Sequence, residues 1–274
     1  MPLSACYLFK STTRLTIAAP AREHHFLLRI LPKSMPCMIL SEWELSIEAA
    51  DYVSAFEDAF GNRVFYGAVL GEHAQLVASV WGKVLLRDEY WDDDLQGLGL
   101  FCLPSPMVGP SEALDGLVAA MTPAFRKLQT REGMLFLNDA VFRQLVYEKC
   151  VTNSETDAGE ALSRGKGVCQ DFAHILIGLL RGLGMPARYV TGYIEGEGDS
   201  HAWVEAFHEG RWYGLDPTHN TLVREGYIKV AHGRDAKDTR MNSGVFKGKF
   251  SQYVEVNVRV EMLETDDARD LVHA

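Results

Sequence analysis

The chain has 274 residues, 47% hydrophobic and 23% charged, a composition that excludes intrinsic disorder and allows one large or two ordinary domains. A formal charge of −10, from 27 basic and 37 acidic residues without a basic stripe, repels a phosphate backbone and excludes nucleic acid as a partner. No run reaches the ~18 apolar residues of a membrane-spanning helix, and five cysteines without a CxxC or CxxxC pair argue against a disulfide framework or a zinc knuckle, so a cytoplasmic protein with no membrane partner is expected.

Residues 6 to about 95 read as strands and turns. A strand over 6–17 is expected to end in a turn at 18–22, which contains Pro20, and a second strand covers 25–31. Apolar runs at 64–70 and 75–86 complete a pattern that fits an antiparallel β-sandwich-like N-terminal domain, residues 1–100. Asp92-Asp93-Asp94 and the Pro104/Pro106 segment break regular structure, and helical periodicity begins after them. Ser111 is positioned as the N-cap of a helix at 112–121, and Asn138 as the cap of another at 139–150.

The clearest helix spans 169–183. Phe172, Ile175, Leu176, Leu179, Leu180 and Leu183 form an apolar stripe, and Gly184 and Pro186 end it. Strands follow at 187–194, 201–207, 212–216 and 253–262, giving a second domain at 101–264 and a polar tail at 265–274.

Cys169 opens this helix behind the flexible Arg164-Gly165-Lys166-Gly167. The partial positive charge of a helix N-terminus favours the thiolate that a nucleophile needs, and the Cys169 backbone N–H is a candidate donor to an oxyanion. The strands at 201–207 and 212–216 flank a hairpin turn centred on Glu209-Gly210. In that register Phe207 pairs with Trp212, Trp203 faces Asp216, and His201 lies diagonal to Asp216 on one face, about 7–8 Å away. A carboxylate at that distance can orient an imidazole that takes the thiol proton. A slip of one residue would put the two on opposite faces.

Four segments, GVCQDFAH (167–174), LGMPARYVTGY (183–193), SHAWVE (200–205) and GLDPT (214–218), resemble the core motifs of the transglutaminase-like superfamily, in that family's order. FGNRVFYGAV (60–69) is similar to the β-rich N-terminal region of bacterial members, and HGRDAKD (232–238) to their C-terminal region. The resemblance implies an α+β fold with a papain-like catalytic core and a triad of Cys169, His201 and Asp216. It implies a thiol acyl-transfer enzyme acting on a peptide or protein substrate, with a small amine as an alternative acceptor. Peptidase or amidase chemistry is favoured over protein cross-linking, and a silent binding module of the same fold is the alternative. Asp171 is expected to be structural and paired with Arg188, His174 to be a packing histidine, and Trp203 to shield the triad or line an acyl groove. The three triad residues include zinc-ligand types, but the resemblance and the helix-start position favour a metal-free thiolate, and no cofactor is implied.

Overall fold

The computed structural model describes residues 5–264, and the polar tail expected at 265–274 lies outside the described residues. The first strand, β1 (Ala5–Leu28), runs for 24 residues. From Tyr7 to Ile17 every second side chain is buried, and from His24 to Leu28 the alternation resumes on the opposite parity. One register slip lies between Thr16 and Ala21, and the parity itself switches after Ala21, at a second slip between Arg22 and His25 where Glu23 takes a φ of 48°. Pro20 has no N–H to give to a ladder, so the strand bulges and bends at the first of these. The turn expected at 18–22 is thus a bulge in one continuous strand, and the second strand expected at 25–31 is its far end.

The strands β2 (Met38–Ile47), β3 (Tyr52–Glu57), β4 (Arg63–Val69) and β5 (His73–Leu86) follow. Next come α1 (Glu112–Phe125), α2 (Thr130–Gln144), the two-residue β6 (Val146–Tyr147), α3 (Ala158–Arg164), the two-residue β7 (Lys166–Gly167) and α4 (Cys169–Gly182). The Ser111 hydroxyl caps α1 by accepting the Leu114 N–H at 3.2 Å. Asn138 caps nothing: α2 already begins at Thr130, where Gln129 and Glu132 form a capping box, and Met134, Leu137 and Val141 carry its buried face past Asn138. α4 is buried on all sides from Asp171 to Leu180, enclosed by the other helices and by a sheet.

The remaining strands are β8 (Ala187–Ile194), β9 (Gly196–Gly198), β10 (His201–His208), β11 (Arg211–Asp216), β12 (Thr221–Leu222), β13 (Tyr227–Gly233), β14 (Asn242–Lys247) and β15 (Gln252–Leu263). Five form an antiparallel sheet in the order β12-β11-β10-β8-β13. The others join the N-terminal strands: β2-β5-β1-β15-β9 follows the first half of β1, and β4 and β14 pair with its second half. The strands expected to make a sandwich are therefore linked through β1 into one curled, eight-stranded sheet. One face of the five-stranded sheet places Val204 and Leu215 against Ile175, Leu176 and Leu179 of α4. The other places Val190, Trp203 and Ile228 against Phe9, Phe26 and Val258 of the curled sheet. The result is a β-rich α+β fold. Among the described residues no helix is long and apolar enough to cross a membrane.

A charged network is buried on the second face. Arg188 of β8 donates to Glu205 of β10 at 2.5 Å and to Asp92 at 2.7 Å, and its guanidinium lies 4.2 Å from the Trp212 ring centroid. Lys229 of β13 donates to Asp92 at 2.9 Å and to Glu205 at 2.8 Å, and the Tyr90 hydroxyl also donates to Glu205. Two cations meet two carboxylates, so each buried charge has its counterion. Arg188 is spent here and does not meet Asp171, against expectation. Truncation of one partner leaves an uncompensated buried charge, which costs about 3–5 kcal/mol. Arg188→Met is expected to lower unfolding free energy by that amount in urea titrations; a loss below about 1 kcal/mol would show the network to be dispensable.

Candidate active site

Cys169 is the first residue of α4 and is partly exposed. Asp171 shapes the approach to it. Its Oδ2 accepts the Val168 N–H at 2.7 Å and the Thr152 hydroxyl at 2.7 Å, which locks the loop into the first helical turn. Gly167 permits this fold-back, because a Cβ there would come within 2.5 Å of the Asp171 carboxylate. Burial pushes the Asp171 carboxyl up despite those hydrogen bonds. At the start of a helix the Cys169 N–H has no intrahelical acceptor and lies at the positive end of the dipole.

The hairpin has the expected register. Phe207 pairs with Trp212, and both central turn residues, Glu209 (φ 47) and Gly210 (φ 82), adopt the left-handed region of a two-residue hairpin turn. His201 opens β10 and Asp216 closes β11, and their side chains meet at 2.7 Å between Nε2 and Oδ2. An ionised carboxylate can only accept, so Nε2 carries the proton. Cys169 and His201 line the same cleft. Burial alone would lower the His201 pKa, but hydrogen bonds to Asp216 and Cys169 outweigh it and raise it to about 9.

Asp216 is fully buried and accepts more than this one bond. Oδ1 takes the backbone N–H groups of Thr218 at 2.8 Å and His219 at 3.2 Å. Oδ2 takes His219 Nδ1 and the Tyr227 hydroxyl, both at 2.8 Å, besides His201. Burial would raise its pKa, yet the His201 and His219 hydrogen bonds win and hold the carboxyl far below the usual carboxylate range. Asn138 Nδ2 secures the Asp216 carbonyl at 3.2 Å. His201, Asp216 and His219 offer ligand atoms within 4.8 Å of one another, but both ring nitrogens already donate to the carboxylate. A cation would have to replace both protons. The donor set fits a hydrogen-bonded unit better than a metal site.

Trp203 is fully buried in the core, with its ring stacked 6.4 Å from that of His201. It braces the imidazole from behind and lines no groove. His174 packs 5.0 Å from Tyr189 and accepts the Ala236 N–H at Nε2, and burial takes it down to about 4. Sequence reasoning missed His219, Tyr227 and Asn138. His219 follows Asp216-Pro217 closely enough for a turn to bring it back, which was a usable signal. Tyr227 and Asn138 arrive from β13 and α2 and carry none.

Cys169, His201 and His219 line a cleft of about 450 Å³. Glu195, Glu197 and Asp199 also line it, and Lys149 donates to Asp199 at 2.9 Å. Tyr147 also lines the cleft, and burial and the nearby Cys169 raise its hydroxyl pKa.

The raised His201 pKa has a sign. Relative to an ordinary 6.5, a folded value of about 9 contributes stability that is complete below pH 6.5 and is lost as pH rises through about 9. Asp216→Asn removes the negative acceptor, so the His201 midpoint followed by NMR should fall from about 9 towards 6.5 and stability should become flatter across that window. An unmoved midpoint would mean that Asp216 does not hold the imidazolium.

Residues 120–217 match the transglutaminase-like superfamily, and residues 8–84 match the bacterial transglutaminase-like N-terminal region. An uncharacterized protein of Mycobacterium leprae is 36% identical over 130 residues, 44% of this chain and 46% of that one. Another, from Mycobacterium tuberculosis, is 32% identical over 177 residues, 58% of this chain and 56% of that one. The chain thus spans about half the length of the curated relatives it matches. The solved structure of a candidate cysteine protease from Cytophaga hutchinsonii superposes with a TM-score of 0.80 at 25% identity, covering 96% of this chain and 92% of that one. With both regions matched in order and a solved structure alike over nearly its whole length, the chain belongs to the transglutaminase-like superfamily, its core preceded by the bacterial type of N-terminal region.

Proposed function

We propose that the protein is a cysteine-dependent acyl-transfer enzyme that attacks amide carbonyls with Cys169. The observation that carries this reading is the helix-opening thiol sharing a cleft with His201, which buried Asp216 holds through Nε2. In the proposed cycle the Cys169 thiolate adds to the carbonyl carbon of a peptide or protein substrate. The developing oxyanion meets the Cys169 N–H at the positive end of α4. His201, held as imidazolium by Asp216, protonates the leaving amine as the C–N bond breaks, leaving a thioester. Water or an amine then resolves the thioester.

Hydrolysis is the favoured outcome, as in a peptidase or amidase. The cleft is walled on one side by exposed carboxylates, and nothing about it excludes water from the acyl carbon. No cofactor takes part in the proposed cycle. A reducing compartment, the cytoplasm, is the proposed location, because the nucleophile must stay a thiol.

Incubation with a p-nitrophenyl ester should add one acyl mass to the intact protein, and Cys169→Ala should abolish the adduct. With a fluorescent primary amine present, free acid should remain the main product; a dominant amide would reassign the enzyme as a transamidase. A Cys169 that neither acylates nor alkylates faster than the other cysteines would favour the silent binding module instead.

A further inference from the structure

His219 stands on Asp216 as His201 does. Its Nδ1 lies 2.8 Å from Oδ2, the same oxygen that holds His201 Nε2, and the two ring centroids are 5.0 Å apart. The carboxylate is ionised and can only accept, so His219 donates from Nδ1, and this fixes its tautomer with the lone pair on Nε2. Among the described residues nothing occupies that Nε2. His201 is buried, whereas the His219 side chain is 49% exposed and lines the cleft beside the thiol. Asp216 therefore orients two imidazoles at the cleft, one buried and one facing solvent. An imidazole whose tautomer is set by a buried carboxylate and whose second nitrogen is open has the arrangement of a general base.

We propose that His219 is a second catalytic base, which activates the water or amine that resolves the thioester on Cys169. This rests on the acyl-transfer reading above and divides its labour between the two rings. His201 serves the thiol and gives its proton to the leaving amine. The acyl group then covers the sulfur, and the incoming water arrives from the open side. As water's oxygen bonds to the acyl carbon, His219 Nε2 takes its proton. The tetrahedral intermediate collapses, the C–S bond breaks, and the electron pair returns to Cys169 as thiolate. His219 releases its proton to solvent, and His201 takes one up from solvent to restore the ion pair. With an amine as acceptor the same proton transfer yields an amide.

Pre-steady-state kinetics with p-nitrophenyl acetate separate the two halves, since the nitrophenolate burst reports acylation and the linear phase reports deacylation. His219→Asn keeps an N–H donor close to the position of Nδ1 but offers no base. It should leave the burst rate within about threefold of wild type while slowing the linear phase by about 10²-fold or more, the usual worth of a general base. Acyl-enzyme should then accumulate in the intact mass. Hydroxylamine, a nucleophile with little need of a base, should discharge it at the wild-type rate. His219→Ala, which loses the donor as well, should slow the linear phase at least as much as Asn. If His219→Asn restores the turnover that His219→Ala loses, His219 only positions Asp216 and the proposal falls. It falls equally if burst and linear phase drop together, or if neither changes. If the wild-type protein shows no burst and Cys169→Ala turns the ester over equally fast, the acyl-transfer reading itself falls, and the second base with it; a wild-type burst with unaffected variants would overturn the second base alone.

Discussion

A single carboxylate, that of Asp216, organises this site. A buried charge is tolerable only when its lone pairs are taken up by donors. Here two backbone N–H groups meet Oδ1, and two imidazoles and a phenol meet Oδ2. Those donors come from the start of β10, the turn after β11, and the start of β13. Each must be in place for the charge to be satisfied, so the carboxylate links hairpin register, turn geometry and strand order in one local condition. The phenol is affected in return: burial, then the charge of Asp216, pushes the Tyr227 hydroxyl far above its usual range, so it stays a donor.

The same strand that presents His201 is anchored at several depths. Trp203, two residues on, fills the core behind the imidazole, and Glu205, two further, holds Arg188 and Lys229. Residues two apart on a strand share a face, so His201, its buttress Trp203 and the ion network form one row along β10. Glycine at 192, opposite His201 on β8, makes room for this row, since a Cβ there would lie 2.3 Å from the Trp203 ring. The thiol comes from the other direction, carried by a helix packed on every side. Cys169 on a buried helix and His201 on a pinned strand have little freedom to part.

What was legible in the sequence was local. The helix that Cys169 opens shows its period and its Gly184 stop, and the hairpin shows a turn at Glu209-Gly210, from which the pairing of Phe207 with Trp212 follows by counting. Contacts that close over long separations were hidden. Arg188 had a nearby carboxylate in sequence, Asp171, but its real partners include Asp92, some 96 residues back. Tyr227 reaches Asp216 only because β13 returns beside β8. Pro20 was read as a turn because proline breaks ladders, yet a long strand can absorb the break as a bulge when fresh partners wait beyond it, as β4 and β14 do for β1. Asn138 looked like a cap because its chemistry suits one, and a buried amide bonded to a carbonyl uses the same chemistry.

That exchange of partners along β1 bears on the cleft. The curled sheet does not stop at the N-terminal strands, since β15 pairs with β1 along most of its length and then takes β9 as its other neighbour. β9 joins β8 to β10, and its Glu197 and Gly198, with Val258 of β15, form part of the wall of the cleft that Cys169 also lines. The N-terminal half of the chain therefore reaches the cleft through β15, although it contributes no group to the Cys169–His201–Asp216 chain. Ladder hydrogen bonds hold β9 in the curled sheet, while covalent continuity holds it to the strand that begins with His201. Any shift of the curled sheet against the five-stranded one must move that wall relative to the imidazole. The shape of the cleft is set by how the two sheets pack, whereas the contacts of Asp216 with His201 and His219 are set within the core alone.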